Sequence, residues 1–301
     1  MQRECLAFSF DKSLPFRFLL ASLQLQHVLR AKGEDDMREA LNELPSTPDA
    51  AFEEMLRRIE QQDHRSAATA IRTLTWCYYS RRPLQMDELR HALVVEDDHH
   101  LLKSNGKSAT SIVDSCLSFV THDQSTREVR FIHPSVQRWF KREPQNHKLL
   151  PHAYLAKTCL TYLNFDVFDD PTKLDADGWR SGWTAEHIGP YPFYRYAAQF
   201  WSDHTRDTEQ EPAVQRSTLA LLEAKNRRTL MLQTDALIED LYYKSGRTAL
   251  HVAASYGLAA ICQELLAEDV RYILPAAVVD NLWGQKSRAH FLLTSGEGGL
   301  G

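Results

Sequence analysis

Two short β-type runs and a polar turn lie in the stretch Phe119-Val120-Thr121-His122-Asp123-Gln124-Ser125-Thr126-Arg127-Glu128-Val129-Arg130-Phe131-Ile132-His133-Pro134. β-Branched and aromatic residues dominate Phe119–Thr121 and Val129–Ile132, and polar residues separate them, which predicts a β-hairpin. Pro134 suits the first position of a helix because its fixed φ is already helical. The stretch therefore predicts a hairpin that leads directly into a helix.

Three helices are predicted before this hairpin. Apolar periodicity indicates an amphipathic helix over Ser66–Tyr79, and shorter ones over Asp87–Val95 and Ser111–Phe119. Three helices, a hairpin and a further helix follow one another in the order of a winged-helix domain. This domain is predicted to span about Ser66 to Arg142.

A helical hairpin is predicted before the winged-helix domain. Apolar residues recur at helical spacing on both sides of a break at 45–49. Thr47 suits the N-cap of the second helix and Pro48 its first position, and Asp49 favours the positive end of the helix dipole.

Helices also dominate the remainder of the chain. One is predicted over Ala153–Leu163, and a second carries an apolar face from Phe193 to Trp201. Asp166–Gly189 is rich in Asp, Gly and Thr, which predicts a long loop, and Thr205–Pro212 is predicted to be a charged connector.

A further motif is Gly246-Arg247-Thr248-Ala249-Leu250-His251-Val252-Ala253-Ala254. It resembles the opening of an ankyrin repeat, whose signature is Thr-Pro-Leu-His-x-Ala. The resemblance implies a helix pair whose second helix covers Ala259–Leu266. The residues of the motif are Gly246, Thr248, Leu250, His251, Ala253 and Gly257.

Composition excludes several classes of function. The formal net charge is −5, which gives no general attraction to nucleic acid or anionic membrane. The longest apolar runs are too short to span a bilayer. Five cysteines are widely spaced and none has metal-ligand spacing, which predicts a reduced, cytoplasmic protein.

Other segments resemble fungal NACHT–ankyrin proteins of the STAND class of signalling NTPases. Residues 18–25 and 38–45 resemble the end of their nucleotide-binding region. Residues 81–84 and 88–93 resemble their winged-helix module, which is the module described in GPI inositol-deacylase-like sequences. Residues 155–163, with Tyr196-Ala197-Ala198 and Trp201, resemble the helical region that follows.

The predicted fold class is mainly α, with a helical hairpin, a winged-helix domain, a helical linker region and one ankyrin-type helix pair. The predicted domains are a helical remnant of the nucleotide-binding module at 1–63, the winged helix at 64–146 and the linker at 147–243. The ankyrin repeat follows at 244–285, and an irregular tail at 286–301.

The resemblance also implies a role for one histidine. In the family, ATP or ADP lies between a P-loop domain and the winged helix, and a His at the start of the helix after the wing faces the β-phosphate. In this sequence that residue is His133. Plant and animal relatives usually read Met-His-Asp, whereas Pro134 stands in the third position here. The alternative, which this chain alone favours, is that His133 caps the helix and packs.

The sequence motifs give little support for a phosphate, metal or nucleophilic site. Asn105-Gly106-Lys107-Ser108 lacks the first glycine of a P-loop, so no ATP or ADP site and no cofactor is predicted in this chain. Asp97-Asp98-His99-His100 could hold a divalent metal, but a solvated loop is the simpler interpretation. The sequence has no Gly-x-Ser-x-Gly motif, so no enzymatic activity is predicted.

The sequence therefore predicts a non-catalytic scaffold with protein partners and no membrane, which in the intact family oligomerises. One alternative is a nucleic-acid-binding winged helix. Residues 66–146 carry eleven Lys and Arg against nine Asp and Glu, but the candidate recognition helix Thr110–Val120 has no cation and contains Asp114. Another alternative is a truncated copy without independent function, since Lys286–His290 does not continue the repeat pattern.

Overall fold

The computed structural model of the chain describes residues 20–21, 24–25, 28, 33–42, 44–95, 107–142, 148–169, 188–238 and 247–268. The chain divides into two compact units. The first unit contains 1–74, 110–121 and 130–149, and the second contains 75–109, 122–129 and 150–301. The fold is mainly helical, as the sequence predicts, and its small sheet has three strands where the sequence predicts a two-stranded hairpin.

In the described residues before the winged-helix segment, two helices have defined bounds: α1 (Glu34–Asn42) and α2 (Pro48–Glu60). The predicted cap of α2 is confirmed, because Thr47 Oγ1 accepts the Ala50 N–H at 3.2 Å and Pro48 opens the helix. The apolar face of α2 is buried, whereas Met37 and Leu41 on α1 remain 40% and 52% exposed. The helical spacing on α1 thus predicts the helix but not its burial.

The described residues of the winged-helix segment form seven elements. They are α3 (His64–Tyr79), β1 (Leu84–Gln85), α4 (Met86–Val94), α5 (Ala109–Ser115), β2 (Val120–His122), β3 (Glu128–Phe131) and α6 (Pro134–Arg142). The sheet has the strand order β1-β3-β2, and β1 pairs antiparallel with β3 in the register Leu84↔Val129 and Gln85↔Glu128. Strand β1 was not predicted from the sequence, because two residues are too few to show a period.

Helix α5 ends at Ser115, earlier than the predicted helix over Ser111–Phe119. Leu117 and Ser118 have φ of 46° and 75°, which a right-handed helix does not allow. The chain therefore turns sharply before β2.

Aromatic side chains form the core of the first unit. The Phe52 ring lies 6.0 Å from that of Phe119 and 5.5 Å from that of Trp139, and Phe119 lies 5.9 Å from Phe140. All four side chains are 5% exposed or less. Helices α2 and α6 and the residue before β2 are therefore joined by one buried cluster.

The second unit continues after residue 150 with helices. They are α7 (Ala153–Leu163), a short 3-10 helix (Asp166–Phe168), α8 (Phe193–Arg206), α9 (Pro212–Glu223), α10 (Lys225–Ile238), α11 (Ala249–Ser255) and α12 (Ala259–Glu268). The start of the predicted long loop is thus helical and buried at Phe168, and residues 170–187 lie outside the described part. The predicted connector begins too early, because Thr205 and Arg206 still belong to α8.

Trp76 lies at the centre of the second unit's core. Its indole meets the rings of Tyr154, Phe193, Tyr196 and His204 edge-on, with centroids 5.3–6.5 Å apart. Such T-shaped contacts favour aromatic packing beyond the area they bury.

In the described part of the chain, no helix has the length and apolar character that crossing a bilayer requires.

Candidate functional site

His133 lies directly before α6, at the place where the sequence predicts it. Its Nδ1 accepts the Ser135 N–H at 3.1 Å and lies 2.8 Å from Ser135 Oγ. An imidazole nitrogen that accepts a hydrogen bond carries no proton, so the ring proton of neutral His133 is assigned to Nε2. His133 thus offers a hydrogen-bond acceptor to the start of α6 through Nδ1. Its Nε2–H group is a hydrogen-bond donor.

This geometry is compatible with both roles that the sequence left open. The bond to the Ser135 N–H satisfies one of the amide groups that every helix start exposes. An Nε2–H group is also the kind of donor that a phosphate oxygen accepts. The structure places Pro134 in α6, where it supplies no carboxylate to orient the ring.

Thr248 and His251 form a reciprocal cap at the start of α11. Thr248 Oγ1 accepts the His251 N–H at 3.4 Å, and His251 Nδ1 lies 2.6 Å from that hydroxyl and 3.4 Å from the Thr248 nitrogen. Such reciprocal caps satisfy two amide groups at once. The Thr-x-x-His spacing of the motif therefore stabilises the first turn of the helix.

The turn between α11 and α12 depends on Gly257. Its φ is +70°, a conformation that residues with a Cβ rarely adopt. The Leu258 N–H donates to the Ala253 carbonyl at 3.0 Å, which closes the end of α11. Leu250, Ala253 and Leu258 are buried beneath this turn, so the motif forms a compact helix pair. Gly246 lies outside the described residues.

The helix pair is anchored to the preceding helices by Tyr256, which the sequence analysis did not single out. Its hydroxyl donates to Asp235 Oδ2 on α10 at 2.6 Å, and its ring meets Trp201 of α8 edge-on at 5.3 Å. Its carbonyl accepts from the Arg206 guanidinium at 3.0 Å. Side chain and backbone of one residue thus join α11 to two helices.

A second contact joins α12 to the turn after α8. The Ala260 N–H, in the first turn of α12, donates to the Glu209 carboxylate at 3.3 Å. A negative charge at the start of a helix is also favoured by the helix dipole. Because these contacts join residues 21 to 55 positions apart in the sequence, no local pattern could have revealed them.

The remaining candidates contribute no site in the described part of the chain. Asp97-Asp98-His99-His100 and Asn105-Gly106 lie outside it. No group of three His, Cys, Asp or Glu side chains that could hold a metal occurs among the described residues. Helix α5, the candidate recognition helix, reads Ala-Thr-Ser-Ile-Val-Asp-Ser and has no cation to meet a phosphate.

The four described cysteines are buried or partly buried. Cys116 and Cys159 are fully buried, and the described cysteines form no disulfides. Burial raises the pKa of the Cys116 thiol to about 12, and that of Cys262 to about 11. A thiol that stays protonated is a poor nucleophile, so these residues do not suit covalent catalysis.

Comparison with known proteins identifies the central segment of the chain. Residues 56–149 match the family model described as the winged helix domain of GPI inositol-deacylase. No curated protein and no solved structure matches the chain. Residues 56–149, which begin within α2 and end shortly before α7, therefore form a winged-helix domain of this type.

Proposed function

We propose that the chain is a non-catalytic interaction and signalling scaffold of the NACHT–ankyrin kind. In this proposal it is part of a STAND-type receptor, in the cytoplasm, that couples a nucleotide switch to an ankyrin array that binds other proteins. The family match at 56–149 supports the winged-helix part of this assignment.

The observation that carries the proposal is the way α11 and α12 are built and anchored. A Thr–His cap, a glycine turn with positive φ and a buried Leu250 are what the Thr-x-Leu-His-x-Ala pattern requires of an ankyrin unit. Tyr256 and Ala260 tie this unit to α8, α10 and the turn after α8. A repeat held in this way is suited to begin an array, because each repeat is stabilised by its neighbours.

The outer side of the pair supports the same assignment. Leu266 on α12 is 49% exposed, although it belongs to the helix that would face a following repeat. Ankyrin units bury such apolar residues by stacking on the next unit. The proposal therefore predicts that added repeats will stack on α12.

A fusion experiment tests this proposal. Residues 269–301 are replaced by consensus ankyrin repeats with a capping repeat, and urea unfolding is followed by circular dichroism. One cooperative transition, more stable than that of the parent chain, supports stacking. Independent unfolding of the added repeats would contradict the ankyrin assignment.

Leu266→Lys is the matched variant for the fusion. Because Leu266 is half-exposed in the parent chain, we expect a loss there within about 0.5 kcal/mol. In the fusion the same change should cost about 1–3 kcal/mol, since it would place a charge in the stacked interface. Equal losses in the two proteins would show that Leu266 does not face the added repeats.

A further inference from the structure

A chain of hydrogen-bonding groups runs through the core of the second unit. His152 Nε2 lies 2.8 Å from His204 Nδ1, and the other nitrogen of His204 lies 3.0 Å from the Tyr196 hydroxyl. The Arg81 N–H donates to this hydroxyl at 3.1 Å, and His152 Nδ1 faces Asp207 Oδ2 at 3.5 Å. His204 and Tyr196 are fully buried, and His152 is half-buried.

The Arg81 N–H, at the Tyr196 end, sets the direction of the whole hydrogen-bond chain. A backbone N–H can only donate, so the Tyr196 oxygen accepts from Arg81 and its own proton is directed to His204 Nε2. His204 then carries its proton on Nδ1 and donates it to His152 Nε2. His152 in turn carries its proton on Nδ1, towards the Asp207 carboxylate. Both imidazoles are neutral in this arrangement, and each donor faces an acceptor.

The opposite direction leaves two groups in unfavourable positions. If His204 carried its proton on Nε2, the Tyr196 oxygen would accept two hydrogen bonds, and its own proton would point to no acceptor in the chain. His152 would then turn a lone pair towards the Asp207 carboxylate. A buried donor that loses its partner costs about 1–3 kcal/mol.

The surroundings also disfavour a positive charge on either ring. Burial lowers the pKa of His204 to about 3, and the neighbouring His152 and Arg81 act in the same direction. Burial lowers the pKa of His152 as well, against the opposite effect of Asp207. His152 stands at the N-terminal end of α7, where the helix dipole is positive.

The other ionisable groups around the chain lie on three segments. After α3, Arg81 pairs with Asp207 at 2.8 Å and lies 3.9 Å from Asp203 of α8. The Arg82 guanidinium lies 5.2 Å from the centre of the Tyr196 ring, and Tyr79 stacks on His152 at 4.7 Å. On α7, the buried Cys159 thiol raises the pKa of the Tyr196 hydroxyl. Asp207 is thus shared between Arg81 and His152, so it is not available as a full counter-ion for a charged His152.

We propose that the chain Asp207–His152–His204–Tyr196 is an acid-sensitive latch, which holds the first turn of α7 against the end of α8 while both imidazoles are neutral. An imidazolium is a donor at both nitrogens. When either ring takes up a proton, two N–H groups therefore face each other between the rings unless the hydrogen-bond chain reverses. If it reverses, the Tyr196 proton loses its acceptor. The first turn of α7 separates from α8 so that the charged ring reaches water.

The direction of the pH effect follows from the lowered pKa values. An exposed histidine has a pKa of about 6.5, and both rings titrate below this value in the closed latch. The stability that the latch contributes is therefore fully present above about pH 6.5. It is lost progressively as the pH falls from there towards the pKa of the closed state, because the open state binds more protons.

Nuclear magnetic resonance of the full chain with 15N-labelled histidine tests the direction of the latch. Long-range 1H–15N correlation spectra distinguish the two neutral tautomers from the imidazolium, and His152→Gln and His204→Gln identify the two signals. At pH 7.5 we expect both rings to be neutral with the proton on Nδ1. The Nε2–H tautomer of His204, or an imidazolium at either position, would overturn the proposal.

Hydrogen exchange of the backbone at residues 152–158 tests the opening. After correction for intrinsic exchange, an open state with one histidine of ordinary pKa predicts more opening at pH 5.5 than at pH 7.5, by up to about tenfold. Exposed His64→Gln should keep this ratio, and His152→Gln should bring it close to one. A ratio near one in the unaltered protein overturns the latch. If a variant does not fold, the histidine tautomers of the unaltered protein test the proposal instead.

Discussion

The Glu88 carboxylate accepts two hydrogen bonds from the Arg82 guanidinium, each of 2.7 Å. It also accepts the Gln85 N–H at 2.9 Å, directly before α4. The Glu88 side chain is only 7% exposed, whereas that of Arg82 is 36% exposed. One buried carboxylate therefore joins the loop after α3 to the start of α4. The Arg82 guanidinium also lies over the ring of Tyr196.

We expect Glu88→Gln to lower the free energy of unfolding by about 2 kcal/mol. The amide keeps the shape of the side chain but removes the charge that two guanidinium donors require, and the exposure of Arg82 limits the loss. Urea denaturation measures it. Asp87→Asn is the matched control, because Asp87 is exposed and its pair with Arg90 should contribute less than about 1 kcal/mol. Equal effects of the two changes would contradict a special role for Glu88.

Phe52→Ala should cost about 3–5 kcal/mol, because it leaves a cavity between Phe119 and Trp139. Met37→Ala, on the exposed face of α1, should change stability by less than about 0.5 kcal/mol. Thermal unfolding of both variants measures the difference. A small effect of Phe52→Ala would mean that the cluster closes around the missing ring.

His133→Ala should lower stability by about 1 kcal/mol, since the Ser135 N–H loses its acceptor at the start of α6. His133→Asn should recover most of the loss, because its amide oxygen can accept the same N–H group. Urea denaturation of the three proteins distinguishes capping from packing. A loss of several kcal/mol in both variants would show that the ring is needed mainly as a packed side chain.

Thr248→Ala should destabilise α11 by about 1 kcal/mol, because the His251 N–H and the His251 ring both lose the hydroxyl. Thr248→Ser keeps the hydroxyl and should behave as the unaltered chain within a few tenths of a kcal/mol. Hydrogen exchange at residues 250–256 locates the effect. Faster exchange in the serine variant as well would attribute the role of Thr248 to its methyl group.

Cys116 should resist alkylation by iodoacetamide at pH 8 while the chain is folded. Only the thiolate reacts, and burial holds the pKa of this thiol at about 12, so both access and ionisation oppose the reaction. Mass spectrometry after labelling in buffer and in urea compares the folded and unfolded chain. Labelling of Cys116 at equal rates in the two conditions would show that this core opens readily.

Local patterns were sufficient for elements that depend on neighbouring residues. The cap of α2 is an example, because Thr47, Pro48 and Ala50 stand within four positions of one another. The hairpin β2–β3 is another, since its turn is closed by Asp123, whose side chain accepts the backbone N–H groups of Ser125 and Thr126. Strand β1 was missed because it exists only through its pairing with β3.

The sequence by itself therefore determined the helical class, the winged-helix order of elements and the cap of α2, because these follow from periodicity and from contacts three or four residues apart. Only the tertiary structure decided which polar residues meet. Arg81, His152, Tyr196 and His204 are up to 123 positions apart, between Arg81 and His204, and no spacing rule relates them. Tyr256 likewise shows no motif of its own, yet it holds α11 to α8 and α10. The packing of α7 against α8 brings these groups together, and burial then makes each of their hydrogen bonds costly to lose.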